Sequence, residues 1–271
     1  MSDDPEPSRN ISGGHDGGGA AVEFDRGSAE TRAEEVVDRL GELYWQKSYG
    51  GQHAFVSLVR TILSQNTSDA ASQPAHDRLM DQFDDQVDLA AALADAPTAG
   101  IVKAIRSAGL WDQKAAVVQR VAAHVRDEYG GADAFDRYVR TEDAHQVRDT
   151  LLQLKGVGPK TADCVLLFAG GRDGVFPVDT HVHRIYRRLG IAPPDADHEE
   201  VREVLEARMP PEKCGFGHTA SIQFGREYCT ARDPACLGGP EACPLYDLCD
   251  RVGVDVETGT TVDPADSTAS P

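Results

Sequence analysis

The sequence predicts an all-α protein, and two observations carry that expectation. Between residues 30 and 251 apolar side chains recur three and four apart almost throughout, and no run alternates like a strand over more than a few positions. The first helix is read in "AETRAEEVVDRLGELYW" (29–45) and the second in "HAFVSLVRTILSQ" (53–65). In "SDAASQPAHDRLMDQF" (68–83) Pro74 has no N–H to give a helix interior, so this helix is expected to start near Ser72 or Gln73 with Pro74 in its first turn. "AGIVKAIRSAG" (99–109), "QKAAVVQRVAAHVRDEY" (113–129) and "HQVRDTLLQL" (145–154) continue the series, each with one apolar face. No internal period points to a solenoid.

A chain of 271 residues can bury a substantial core in one large or two modest domains. No stretch approaches 18 uninterrupted apolar residues, so no membrane span is expected. Residues 1–29 have no periodic apolar face and no signal-peptide core, and are read as a disordered leader; residues 252–271 are read as a second disordered, acidic tail.

The formal charge of −18 argues against nucleic acid, whose phosphates repel an acidic surface. The kind of charge weakens that objection. Only six of the 27 basic residues are lysine and the acid is largely Asp, a bias resembling proteins of salt-in halophiles, where concentrated salt screens charge beyond roughly 3 Å. An acidic protein from an ordinary cytoplasm is the competing explanation. Locally the sign reverses: Lys155, Lys160, Arg172, Arg184, Arg187 and Arg188 outnumber Asp163, Asp173 and Asp179, leaving +3 over residues 151–190. This segment is the DNA-facing candidate.

Its centre is "LKGVGPKTADC" (154–164). Leu151, Leu152 and Leu154 end one helix, Gly156 and Gly158 allow a tight hairpin around Val157, and Pro159 suits the first position of the next helix. Such a turn aims a helix N-terminus outward and can hold a phosphate without reading sequence; an ordinary helix–turn–helix corner has the same glycines. Lys160 separates the two readings. At the second helical position the dipole disfavours its charged form, and Ala162, Cys164 and Val165 make its surroundings partly apolar. Bringing a lysine from a pKa of about 10.4 to neutrality at pH 7 amounts to about 4 to 5 kcal/mol, and a neutral amine can attack the C1′ carbon of a deoxyribose. A carboxylate is needed to stabilise the positive charge that develops on the sugar. "FPVDTHVHRIYRRLG" supplies Asp179, which also reads simply as a helix N-cap.

"LKGVGPKTA" together with "VDTHVHRIYRRLG" resembles the helix-hairpin-helix and Gly/Pro-Asp signature of the endonuclease III family of DNA glycosylases. The resemblance covers about residues 30–250. It implies two helical domains flanking a DNA-binding cleft: a six-helix barrel over 51–158 that ends in the hairpin, and a cluster-bearing helical domain built from 30–50 and 159–251. It implies a monomeric, cytoplasmic base-excision enzyme acting on double-stranded DNA with a damaged base or abasic site. Lys160 is then the nucleophile and Asp179 the catalytic carboxylate, with Gly156, Val157, Gly158, His181 and Arg184 facing DNA. "TILSQNTSD" and "IRSAGLWDQKA" resemble two further family segments and place Asn66 and Leu110 where the gap left by an extruded nucleotide is filled; alone, Asn66 also reads as a helix end and Leu110 as core. Oxidised or ring-saturated pyrimidines are the implied substrates, although Lys155, Pro159 and Asn66 depart from the residues usual in the family.

Four cysteines fall in "CTARDPACLGGPEACPLYDLC", as Cys229-x6-Cys236-x6-Cys243-x5-Cys249. Four thiolates at this density suit a tetrahedral zinc or an iron–sulfur cluster. The resemblance selects a 4Fe-4S cluster, although its usual middle spacing is four residues shorter; "LGGPEA" is expected to bulge out. Cys164 and Cys214 default to structural thiols. A noncatalytic hairpin module and a redox protein are the readings from other classes. The pairing of Lys160 with Asp179 argues against the first, and the long helical region ahead of the hairpin against the second.

Overall fold

The computed structural model describes residues 21–22, 24–47, 49–83 and 86–267. Its helices are α1 (Arg32–Leu40), α2 (Ala54–Ser64), α3 (Asp69–Gln82), α4 (Leu89–Asp95), α5 (Thr98–Ile105), α6 (Trp111–His124), α7 (Ala132–Thr141), α8 (Ala144–Leu152), α9 (Pro159–Phe168), α10 (Thr180–Arg188), α11 (His198–Arg208), α12 (Pro211–Glu227) and the short α13 (Pro264–Ser267). The only strands among the described residues are two antiparallel pairs, Ala21–Val22 with Gln46–Lys47 and Val254–Asp255 with Thr260–Thr261. The fold is all-α, as the periodicity predicts.

The chain divides into two compact units, one formed by Tyr49–Arg172 and the other by Met1–Ser48 with Asp173–Pro271. In the first unit α2 touches α3, α6, α7 and α9, and it is apolar on nearly every side. Phe55, Leu58, Val59, Ile62 and Leu63 are fully buried there. Asp88 and Asp143 cap α4 and α8 by accepting backbone N–H bonds of 2.8–3.1 Å, which sets where those helices begin. The unit boundary corrects the expected break at 158/159: α9 belongs with residues 49–172 because its apolar face packs on α2 and α8.

Pro74 also departs from expectation. It sits inside α3, five residues beyond Asp69, so the helix forgoes one backbone hydrogen bond there. Packing against α2 and α5 holds the helix through that position.

In the second unit α1 packs on α11 and α12, and α10 on α11, α12 and α13. Val36, Val37, Leu40, Tyr44, Phe176, Tyr186 and Phe216 lie in its core. Lys213 on α12 is buried and donates to Glu34 (2.8 Å) and Asp38 (2.6 Å) of α1 and to the Arg26 carbonyl (2.5 Å). Phe24 lies 4.1 Å from Phe216, ring centre to ring centre. These contacts correct the leader reading for residues 24–29, which the periodicity could not register because one aromatic and one carbonyl anchor them. Residues 1–20 lie outside the described residues. The tail reading is corrected in the same way for residues 252–267. They form the Val254–Thr261 ladder and α13, and Asp263 reaches buried Arg187 at 2.5 Å.

Candidate active site and nucleic-acid interface

The hairpin forms as its residues require. Gly156 takes φ +105°, and a Cβ there would meet Val117 of α6 at 2.6 Å, so the position needs glycine twice over. Val157 is buried, and its N–H closes on the Leu154 carbonyl at 2.9 Å. Gly158 is the N-cap of α9 in extended backbone, with no atom within 4 Å of where a Cβ would stand. Open space before a helix N-terminus is what an approaching phosphate requires. Pro159 opens α9 and half-buried Lys160 follows it.

Side chains from several elements hold the turn. Gln65 Nε2 donates to the Gly156 carbonyl and to Thr161 Oγ1, both at 3.1 Å. Arg120 donates to the Lys155 carbonyl at 3.0 Å, and Arg148 of α8 pairs with buried Asp163 of α9 at 2.6 Å.

Asn66 and Leu110 share an unusual backbone. Both are exposed and both are left-handed, with φ of +51° and +47°. Asn tolerates this region and leucine does not, so Leu110 is strained. It is also 52 % exposed, and Trp111 beside it 40 %. Large apolar side chains are thus displayed on a loop tip instead of being packed, and the reading of Leu110 as ordinary core is set aside.

Asp179 is half-buried at the N-cap of α10, where its Oδ1 accepts from the N–H groups of His181 (2.8 Å) and Val182 (2.9 Å). Capping therefore occupies one carboxylate oxygen. His181 is half-buried against Gly225, where a Cβ would meet its Nδ1 at 2.5 Å; burial holds its imidazole below the usual range against the pull of Asp179.

The arginines of α10 face inward. Arg184 donates to the Cys229 carbonyl (3.0 and 2.7 Å) and to the Gly225 carbonyl (3.2 Å). Buried Arg187 meets Asp263 and the Pro194 carbonyl, and buried Arg188 the Thr230 and Ala231 carbonyls at 2.6 and 2.7 Å. Arg184, expected to face DNA, has its guanidinium held by the Cys229 and Gly225 backbone oxygens. Sequence charge alone counts such residues as surface, because it cannot register which carbonyls surround them.

All four spaced cysteines line one cavity, together with Arg188, Arg251, Leu245, Tyr228 and Val254. The "LGGPEA" insertion folds as two short 3-10 turns, Ala235–Gly238 and Pro240–Ala242, joined at Gly239 with φ +97°. Its outer residues Gly238, Pro240, Glu241 and Ala242 are exposed, so the longer spacing bulges away while Cys236 stays buried. Burial pushes the Cys243 thiol up to about 11 and Cys249 to about 12, so a metal must displace their protons to bind. Arg188 Nη1 and the Arg251 N–H point at the sulfurs of Cys229 and Cys249, at 3.6 and 3.3 Å. Among the described residues no three His, Cys, Asp or Glu side chains converge as ligands of a single ion. Four thiols around one cavity are a donor set that fits an iron–sulfur cluster.

The family model of the HhH-GPD superfamily base excision DNA repair proteins matches residues 59–211, more than half of the chain and including both the hairpin and Asp179. The chain belongs to this superfamily. Within it, the HhH-GPD chain is a base-excision DNA glycosylase homologous to Endonuclease III. Endonuclease III of Sulfolobus acidocaldarius is 32% identical over 198 residues, 73% of this chain and 82% of that protein. The Bacillus subtilis Endonuclease III is 31% identical over 218 residues, 80% and 90% of the two chains. Of solved structures, a non-covalent Endonuclease III–DNA complex matches with a TM-score of 0.66 at 29% identity, covering 82% of this chain and 96% of that one. A trapped covalent Endonuclease III–DNA intermediate matches at 0.62 and 30% identity, covering 76% and 87%.

In this HhH-GPD glycosylase Asn66, Leu110, the hairpin and Lys160 all belong to the unit of residues 49–172; Asp179, His181, Arg184 and the four cysteines belong to the other. Three residues absent from the sequence reading connect the first set. Gln65 ties the end of α2 to the hairpin, while Lys114 and Thr67 tie the loops bearing Asn66 and Leu110. Lys114 was detectable as a lysine within the apolar stripe of Ala115, Val118, Val121 and Ala122.

Proposed function

We propose that this glycosylase removes oxidised pyrimidines from double-stranded DNA and nicks 3′ to the resulting abasic site, working as a monomer. The observation that carries the proposal is half-buried Lys160 at the start of α9, directly behind the open N-cap of the hairpin. In this reading the neutral Nζ of Lys160 attacks C1′ as the glycosidic bond breaks, and the base departs with the electron pair. Loss of the amine proton and opening of the sugar give a Schiff base. Removal of a C2′ proton then expels the 3′ phosphate by β-elimination, and water releases the lysine. Asp179 stabilises the positive charge developing on the sugar. Asn66 and Leu110 fill the gap left by the extruded nucleotide, and Gly156, Val157 and Gly158 receive a phosphate. The covalent DNA intermediate trapped for the Endonuclease III neighbour supports this chemistry.

Cys229, Cys236, Cys243 and Cys249 would hold a 4Fe-4S cluster. When bound it supplies metal–thiolate bonds that order a segment poor in apolar side chains.

Borohydride reduction on abasic duplex DNA tests the proposal. The wild-type protein should become covalently attached, and Lys160→Gln should bind DNA without attachment. Trapping that persists in Lys160→Gln moves the nucleophile elsewhere, with exposed Lys155 next in line. The same assay over a panel of damaged bases separates oxidised pyrimidines from any other lesion served by this fold.

A further inference from the structure

The loops carrying Asn66 and Leu110 are joined by a buried ammonium that has no carboxylate among its hydrogen-bond acceptors. Lys114 is 4 % exposed, and its Nζ donates to the Leu63 carbonyl (2.7 Å), Thr67 Oγ1 (2.6 Å) and the Ala108 carbonyl (2.8 Å). An ammonium has three N–H donors, and each meets an acceptor. Two of the acceptors lie on the segment that ends α2 around Asn66, and the third lies two residues before Leu110. The Thr67 hydroxyl reinforces the joint by donating to the same Ala108 carbonyl at 2.5 Å. A buried charge held only by neutral groups carries a desolvation cost, and burial lowers the lysine's pKa accordingly. Both left-handed residues flanking this joint are exposed and Leu110 is strained, and such a conformation persists only where the surroundings enforce it.

We propose that Lys114, with Thr67, is the positioning residue of the duplex-opening loops: it locks Asn66 and Leu110 into one rigid wedge that enters the helix stack as a unit. The inference rests on the reading of Asn66 and Leu110 as the residues that fill the vacated gap. Lys114 touches no DNA in this role and acts through backbone carbonyls. Because the loops are pre-ordered, binding does not have to freeze two separate tips.

The test uses the full chain and a duplex with an uncleavable tetrahydrofuran abasic analogue opposite 2-aminopurine, whose fluorescence rises when it is unstacked. Wild type should raise the signal on binding, and Leu110→Ala should blunt it. Lys114→Met and Thr67→Val should blunt it likewise and weaken duplex binding by about tenfold, the scale of one or two buried hydrogen bonds. Thr67→Ser, which keeps the hydroxyl, should restore both. Cleavage of a single-stranded abasic oligonucleotide needs no stack opened and should persist in Lys114→Met and Thr67→Val. A normal fluorescence response in these two variants while Leu110→Ala loses it overturns the proposal, as does loss of single-strand cleavage in Thr67→Val. A full response in Leu110→Ala instead overturns the wedge reading beneath it.

Discussion

Asp179 caps α10 and is proposed to stabilise charge on the sugar, and the two roles can be separated by substitution. Its Oδ1 caps α10 through two backbone N–H bonds, and asparagine caps a helix nearly as well as aspartate. Asp179→Asn should therefore melt within a few degrees of wild type while turnover on damaged duplex falls by orders of magnitude. A matched loss of melting temperature and activity would reduce Asp179 to a cap. The cysteines separate in the same manner. Replacing Cys229, Cys236, Cys243 or Cys249 by serine should abolish iron content and visible absorbance, whereas Cys164→Ala and Cys214→Ala should retain both, because those two thiols stand outside the cavity. Zinc at one per chain in anaerobically purified protein would overturn the cluster reading. At this scale residue type and spacing made Lys160, Asp179 and the four thiols visible in the sequence. The inward bonding of Arg184 was not legible because its acceptors, the Gly225 and Cys229 carbonyls, lie more than forty positions away.

The elements were legible wherever their instructions are local. The hairpin's Gly156, Gly158 and Pro159 and the N-cap Asp179 specify turns and helix starts within a few residues. α3 was not legible at its N-terminus, since packing against neighbouring helices overrides the proline signal at Pro74. α1 and α12 are joined by an internal ion network that periodicity does not register. Lys213 and Glu34 are almost wholly buried and Asp38 nearly so, at side-chain exposures of 7, 6 and 13 %. Lys213→Met would leave two carboxylates buried without their cation. It should cost about 3 to 5 kcal/mol in denaturant unfolding, the usual penalty for stranding buried charge. Glu34→Gln in the same background should recover part of that loss, since it removes one of the stranded charges.

For the whole molecule the acidity has to be reconciled with DNA. Neutralising about four phosphates gives a slope near −3.6 in log affinity against log salt, so a tenfold rise in salt costs about 5 kcal/mol. The inward turn of Arg184, Arg187 and Arg188 removes part of the basic segment from the surface and leaves even less electrostatic grip. Binding is then expected to rest on the hairpin backbone and the apolar wedge. At molar salt Leu110→Ala should weaken binding by proportionally more than Lys155→Ala, whose side chain is exposed at the hairpin. A chain with −18 formal charge should also unfold more easily as salt is withdrawn, followed by circular dichroism across potassium chloride concentration. Greatest stability in dilute buffer would reject this account.

The sequence by itself determined the helical class, the hairpin and the cysteine framework, and it singled out Lys160 and Asp179 as candidates. Each depends on residue type at short spacing, which backbone geometry converts directly into turns, caps and clustered donors. Only the tertiary structure decided that the α10 arginines face inward, that residues 24–29 and 252–267 are built into the second unit, and that Lys114 and Gln65 join the loops around the hairpin. These outcomes depend on acceptors far away in the chain, and a buried charge is satisfied by whichever carbonyls the fold brings within about 3 Å.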